Sequence, residues 1–213
     1  LCEVLFLLPL ATFSGLIPTF SVAWGLSNTQ SGWISGGYYL AYMFAVPLLM
    51  ALTDRVDARL VLLGGCALGA LAAAGFAYSA AGFWSGLGWR ALGGIGLAAS
   101  YMPGLKALND RNDSAVPSRA LVSYTATYSL GVGLSFLAAG EIESVFGWQA
   151  AFWVAAIGPS LALGVVLVAL RPRPVPGTRQ GTLLDFRPVF ANRAALGYIL
   201  GYAGHCHELL AMR

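Results

Sequence analysis

Long apolar runs alternate with short polar breaks along this chain. Seven runs stand out, at roughly residues 3–25, 33–52, 60–79, 83–105, 119–140, 149–170 and from about 194 onward. The breaks are "SNTQSG" (27–32), "TDRVDAR" (53–59), "SAAG" (79–82), "KALNDRNDSAVPSR" (106–119), "EIESVFG" (141–147) and the Pro-rich "RPRPVPGTRQG" (171–181). A helix crosses a hydrocarbon core of about 30 Å with about 20 apolar residues, and each run is close to that length. None shows the dyad alternation of an outer-membrane barrel. The pattern predicts an all-α, polytopic transmembrane helix bundle with six complete helices and part of a seventh. It divides into a six-helix bundle over 1–170, a linker over 171–193, and the beginning of a second bundle over 194–213.

Composition supports the same class. Of 213 residues, 58% are hydrophobic and only 10% charged, and the mean hydropathy is +0.72. A soluble domain carries about a quarter of its residues as charges. Twenty-seven glycines and six tryptophans suit a membrane bundle, where Gly is common in helices and Trp prefers the interfaces. The net charge of +3 forms no basic stripe on a soluble domain, so no nucleic-acid partner is expected. Cys2, Cys66 and Cys206 sit in or beside apolar runs and read as buried thiols rather than a disulfide framework. The chain starts at Leu1 and stops inside an apolar run, which reads as part of a longer protein.

The charges then set an orientation. Arg55 and Arg59 follow the second run; Lys106, Arg111 and Arg119 follow the fourth; Arg171, Arg173, Arg179, Arg187 and Arg193 follow the sixth. These are ten of the twelve basic residues, and the loops after runs one, three and five hold none. Basic loops stay cytoplasmic, so the N-terminus is expected inside, in a bacterial inner (plasma) membrane. One further cation, Arg90, lies about seven residues into the fourth run, some 10 Å along a helix. A charge at that depth either faces a bundle interior or cavity or snorkels to the interface.

Three short motifs narrow the class. "MALTDRVDAR" (50–59) fits a loop pattern G-x-L-a-D-r-x-G-r-k through Leu52, Asp54, Arg55 and Arg59. It departs from that pattern at Met50 and Asp57, where glycines are expected, and at Ala58. "RALGGIGLAA" (90–99) fits R-x-x-x-G-x-G through Arg90, Gly94 and Gly96, and "GWQAAF" (147–152) fits G-W-x-x-x-F. With six helices, a basic Pro-containing connector and a seventh run, the chain resembles the first half of a major facilitator superfamily transporter. The antiporter pattern of that family's fifth helix is faint in "GVGLSFLAAG" (131–140), where Ser135 and Phe136 replace its Gly-Pro.

The resemblance implies a secondary transporter working by alternating access, with the rest of the chain supplying a second bundle. The partners implied are the lipid bilayer, a small-molecule substrate and protons. Asp54, Arg55, Asp57 and Arg59 are the expected gating loop. Their mixed signs suit a conformation-dependent ion-pair network better than topology alone, because acidic groups contribute little to orientation. Asp57 in place of a glycine implies a differently built turn or a second acidic partner. Gly93, Gly94 and Gly96 are expected to let the fourth helix pack closely on a neighbour.

Arg90, Tyr101, Tyr124, Thr127 and Tyr128 share polar stripes and are expected at a substrate cavity or coupling site. Tyr38 and Tyr42, four apart, read either as cavity residues or as packed anchors. In the seventh run His205 and Glu208 share a helical face and are candidates for coupling or substrate binding. His205 and His207 lie about 200° apart around a helix, so no metal site is expected. "GGIG" follows no strand and lacks a G-K-[ST] ending, so no nucleotide or other cofactor is expected. No nucleophile–base pair stands at membrane depth, which leaves an intramembrane enzyme disfavoured. A non-transporting sensor or scaffold of the same fold is the alternative to a transporter.

Overall fold

The computed structural model describes residues 2–111, 118–173 and 190–211, with side chains left out at 118, 120, 121 and 205–211. Every regular element among them is helical. The chain forms two compact units, residues 1–179 and 180–213.

In the first unit the elements are α1 (Cys2–Phe6), α2 (Thr12–Gly15), α3 (Ile17–Ala23), α4 (Asn28–Leu52), α5 (Ala58–Ser79), α6 (Phe83–Asp110) and α7 (Ser118–Ala169). The second unit contains α8, Arg193–Ala211. Asn28–Leu52, Ala58–Ser79 and Val122–Ala169 are long and apolar enough to cross a membrane. The polar breaks act as local stop signals. Ser27 caps α4 in a reciprocal capping box with Gln30, satisfying two orphan amides of its first turn. Gly25, at φ +61°, ends α3 in the left-handed conformation that side chains avoid.

Two boundaries differ from the expectation. The break at 141–147 shrinks to Gly147, whose φ of +82° and ψ of 168° interrupt α7. Its two arms lie side by side against the first helical segment. Glu3, Ala11 and Thr19 reach Tyr124, Ser135 and Glu143 in turn, while Cys2 meets Ala162 and Phe20 meets Phe152. The first run, read as one span, is instead three short helices. Pro9 brings no N–H to a helical ladder, and Pro18 lies in the first turn of α3, where its missing N–H costs nothing.

Two buried clusters fill the bundle. One, at the Trp148 end, is aromatic: Phe76 stacks on Phe152 with centroids 4.0 Å apart, and Phe13 stacks on Phe20 at 5.0 Å. The other, toward the Asp57 end, gathers Phe6, Leu7, Leu10, Tyr38, Leu62, Cys66, Leu97 and Val166. Glycines bring α6 against its neighbours. A Cβ at Gly94 would overlap the Tyr38 carbonyl, and one at Gly96 would sit 2.9 Å from the Gly69 nitrogen. At Gly93 it would meet the Tyr38 ring at 3.0 Å.

Candidate functional site

The break between α1 and α2 leaves backbone groups without helical partners, and two side chains from other helices take them. Arg90, on α6 and 4% exposed, donates from Nη1 to the Pro9 carbonyl (3.1 Å) and from Nη2 to the Leu10 carbonyl (2.9 Å). Ser135, on α7, accepts from the Ala11 N–H at 3.0 Å and donates to the Leu8 carbonyl. Irregular backbone survives inside a membrane protein only where such partners or water supply its bonds. The Arg90 guanidinium also lies over the Tyr38 ring, 4.2 Å from its centroid. Arg90 and Tyr38 are thus brought together, in the core rather than at an interface. A void of only about 20 Å³ adjoins them, lined by Phe6, Pro9, Gly69 and Phe76 among others.

Nearer the Asp57 end, aromatic residues expected at a cavity gather around Tyr124 and a group absent from those expectations, Glu3. The Tyr101 ring lies 5.5 Å from Tyr124 and 5.4 Å from Tyr128. The Tyr124 hydroxyl sits 2.6 Å from the Tyr101 carbonyl and 3.2 Å from Glu3 Oε2. Thr127 is turned to its own helix, donating to the Tyr124 carbonyl at 2.6 Å, and Tyr42 packs at the edge of the second cluster. Glu3, Tyr124, Leu62, Leu108, Arg111 and Val166 border a cavity of about 360 Å³.

The loop between α4 and α5 is organised by Asp57. Its Oδ1 caps α5 by accepting from the Arg59 N–H (2.9 Å) and receives Arg111 Nη2 at 3.1 Å. Its Oδ2 accepts from Arg111 Nη2 (3.3 Å) and from the Arg173 N–H (2.8 Å). Arg111 Nη2 also reaches the Arg171 carbonyl at 2.9 Å, and Arg59 Nη2 reaches the Leu167 carbonyl at 3.1 Å. One carboxylate thereby ties α5, the end of α6 and the chain leaving α7. Burial works against its charge, yet the N–H groups of Arg173 and Arg59 and the Arg111 guanidinium hold its pKa below the ordinary aspartate range. Asp54 is exposed, and its carboxylate joins no ion pair among the described residues; Arg55 is exposed beside it.

The side chains of His205 and Glu208 lie outside the described residues; their backbone belongs to α8. Among the described residues no cluster of three or more His, Cys, Asp or Glu has the arrangement of a metal site.

Comparison with known proteins fixes the family. The sequence profile of the Major Facilitator Superfamily matches residues 1–206. This chain belongs to the major facilitator superfamily. It is similar to the uncharacterised MFS-type transporter YcaD of Salmonella paratyphi B and of Salmonella newport. Each is 28% identical over 179 residues, covering 78% of this chain and 44% of the relative. The chain thus spans less than half the length of the curated relatives it matches. As a major facilitator bundle it is an integral membrane protein, and its broken first helix is held by side chains from α6 and α7.

Proposed function

We propose that this chain is the first half of a secondary transporter that moves a small solute by alternating access. The discontinuous first helix carries the reading. Many transporters place interrupted helices at their solute sites, and backbone freed by such a break is bonded by neighbouring side chains, as Arg90 and Ser135 do here. The remainder of the chain would supply the second bundle, and the bilayer its surroundings. The basic loops support a cytoplasmic N-terminus in a bacterial inner membrane, which makes the Asp57 end the cytoplasmic one.

In this reading the 53–59 loop is part of the inner gate. Asp57 and Arg59 hold the bundle's own helix ends through Arg111, Arg173 and Leu167, while Asp54 is exposed for a partner in the second half. Tyr38, Tyr101, Tyr124 and Tyr128 supply polar edges within the bundle. Coupling to protons is favoured over sodium because the buried ionisable group beside the 360 Å³ cavity is a carboxyl with a hydroxyl neighbour, not an oxygen cage.

The test is a solute screen on the full-length protein. A compound that binds only the folded state raises its thermal stability, and the same compound should enter proteoliposomes. Asp54→Asn should express and bind normally but transport poorly. A folded full-length protein that neither gains stability with nor moves any compound of a broad library would refute the proposal.

A further inference from the structure

The hydrogens around Glu3 do not balance if its side chain is an ion. Glu3 is 7% exposed. Its Oε1 is buried and takes no hydrogen bond among the described residues. Among the described residues its other oxygen meets the Tyr124 hydroxyl at 3.2 Å. That hydroxyl owns a single proton, and its shorter contact, 2.6 Å, is to the Tyr101 carbonyl. A carbonyl can only accept, so the phenol proton belongs there. The contact with Glu3 then has no proton unless the carboxyl brings one. A Glu3 carboxylate would face a phenol lone pair on one side and no donor among the described residues on the other, and burying an uncompensated ion is expensive. A neutral carboxylic acid donates through Oε2 to Tyr124 and leaves a carbonyl oxygen as the unpaired acceptor.

Among the described residues no cationic side chain bonds the orphaned oxygen. Cys2 on α1, Tyr38 on α4, Cys66 on α5, and Tyr124 and Tyr128 on α7 surround Glu3, and Tyr101 on α6 offers its carbonyl to the Tyr124 hydroxyl. Arg111 is the cation among the described residues lining the cavity, and its Nη2 is committed to Asp57 and the Arg171 carbonyl. The cavity of about 360 Å³ that Glu3 and Tyr124 border has room for several waters, each taking about 30 Å³.

We propose that Glu3 is a proton-binding site of this bundle. It holds a proton on Oε2 in the conformation described. It releases that proton when Tyr124 and Glu3 separate and Oε2 turns to water in the cavity; the O–H bond breaks, leaving a carboxylate, and a water takes the proton. The further step, that this is the ion coupled to solute movement, rests on the transporter reading above.

Infrared spectroscopy of the full-length protein in lipid tests the site without any transport. At neutral pH the wild type should show the carbonyl band of a protonated carboxyl that is lost in Glu3→Gln. In Tyr124→Phe the same band should move to higher frequency, because the acid has lost its acceptor. A band that Glu3→Gln leaves unchanged overturns the proposal, as does a folded wild type without the band. With a solute in hand, Glu3→Gln should still bind it but drive no proton flux; unchanged flux overturns the coupling step. Failure to move any solute while Glu3→Gln still removes the band would instead refute the transporter reading and leave Glu3 a proton-binding site.

Discussion

Asp57 uses its two oxygens for different tasks, and that division can be measured. Oδ1 accepts from the Arg59 N–H and caps α5, while Oδ2 accepts from the Arg173 N–H beyond α7. Asp57→Asn keeps an oxygen for the cap but sets an NH₂ group against the Arg173 N–H. The lost bond involves a charged acceptor, which contributes about 1.5–3 kcal/mol. Asp57→Ala removes the cap as well, costing about 1 kcal/mol more. Hydrogen exchange of individual amides separates the two. In Asp57→Asn the Arg173 amide should exchange faster by roughly 10- to 100-fold, since about 1.4 kcal/mol is tenfold, while the Arg59 amide stays protected. In Asp57→Ala both amides should open. Equal protection of Arg173 in wild type and Asp57→Asn would refute the assignment, and so would identical behaviour of Arg59 in the two variants. Acid gives a third arm. The folded-state pKa is held low, so the stabilisation is present above the ordinary aspartate value of about 3.9. It is lost as pH falls through the folded-state value, and protection of Arg173 should fade in that window and not near neutrality.

Three other substitutions bear on the bundle. Arg90→Gln should lower stability by at least about 1.5–3 kcal/mol, the contribution of one bond to a charged group, because glutamine cannot span both the Pro9 and Leu10 carbonyls; thermal unfolding in detergent reads this. Ser135→Ala strands the Ala11 N–H, at a cost of about 1–3 kcal/mol, while the Leu8 carbonyl keeps the Thr12 hydroxyl at 3.0 Å; exchange of the Ala11 amide in particular should speed up. Gly94→Ala should destabilise more than Gly93→Ala, because its Cβ overlaps the Tyr38 carbonyl while that of Gly93 meets a ring edge at 3.0 Å. Equal melting temperatures for the two would contradict the close approach of α4 and α6.

The helical class was legible because a run of about 20 apolar residues has one physical solution in a bilayer, and the small residues of α6 marked its close packing. Apolar runs say nothing of breaks inside them, so the three pieces of the first helix stayed hidden. Pro9 and Pro18 are the sequence signal of those breaks. Glu3 went unread for a similar reason: one acid at the start of a run looks like an end, and only Tyr124, 121 residues away, shows otherwise. Arg111 was counted for orientation alone, since its pairing with Asp57 spans 54 positions. The cap made by Asp57 was a local signal. An Asp directly before a helix is a familiar cap, but comparison with the family pattern made it look like a missing glycine. Arg90 stands out in the sequence as a charge inside an apolar run; its role in bridging the carbonyls of another helix is three-dimensional information.

The broken first helix also makes residues far apart in sequence depend on one another in inheritance. A change at Pro9 that let the helix run straight through would spend the Pro9 and Leu10 carbonyls on its own ladder. Arg90 would then be left as a buried cation with no acceptors, so a substitution that improves α1 taken alone would harm the bundle. The reverse order is no easier, because losing Arg90 first strands the carbonyls. Pro9 and Arg90 therefore form an epistatic pair. A lineage can abandon the break only by changing both together, or by passing through an intermediate less stable than either end.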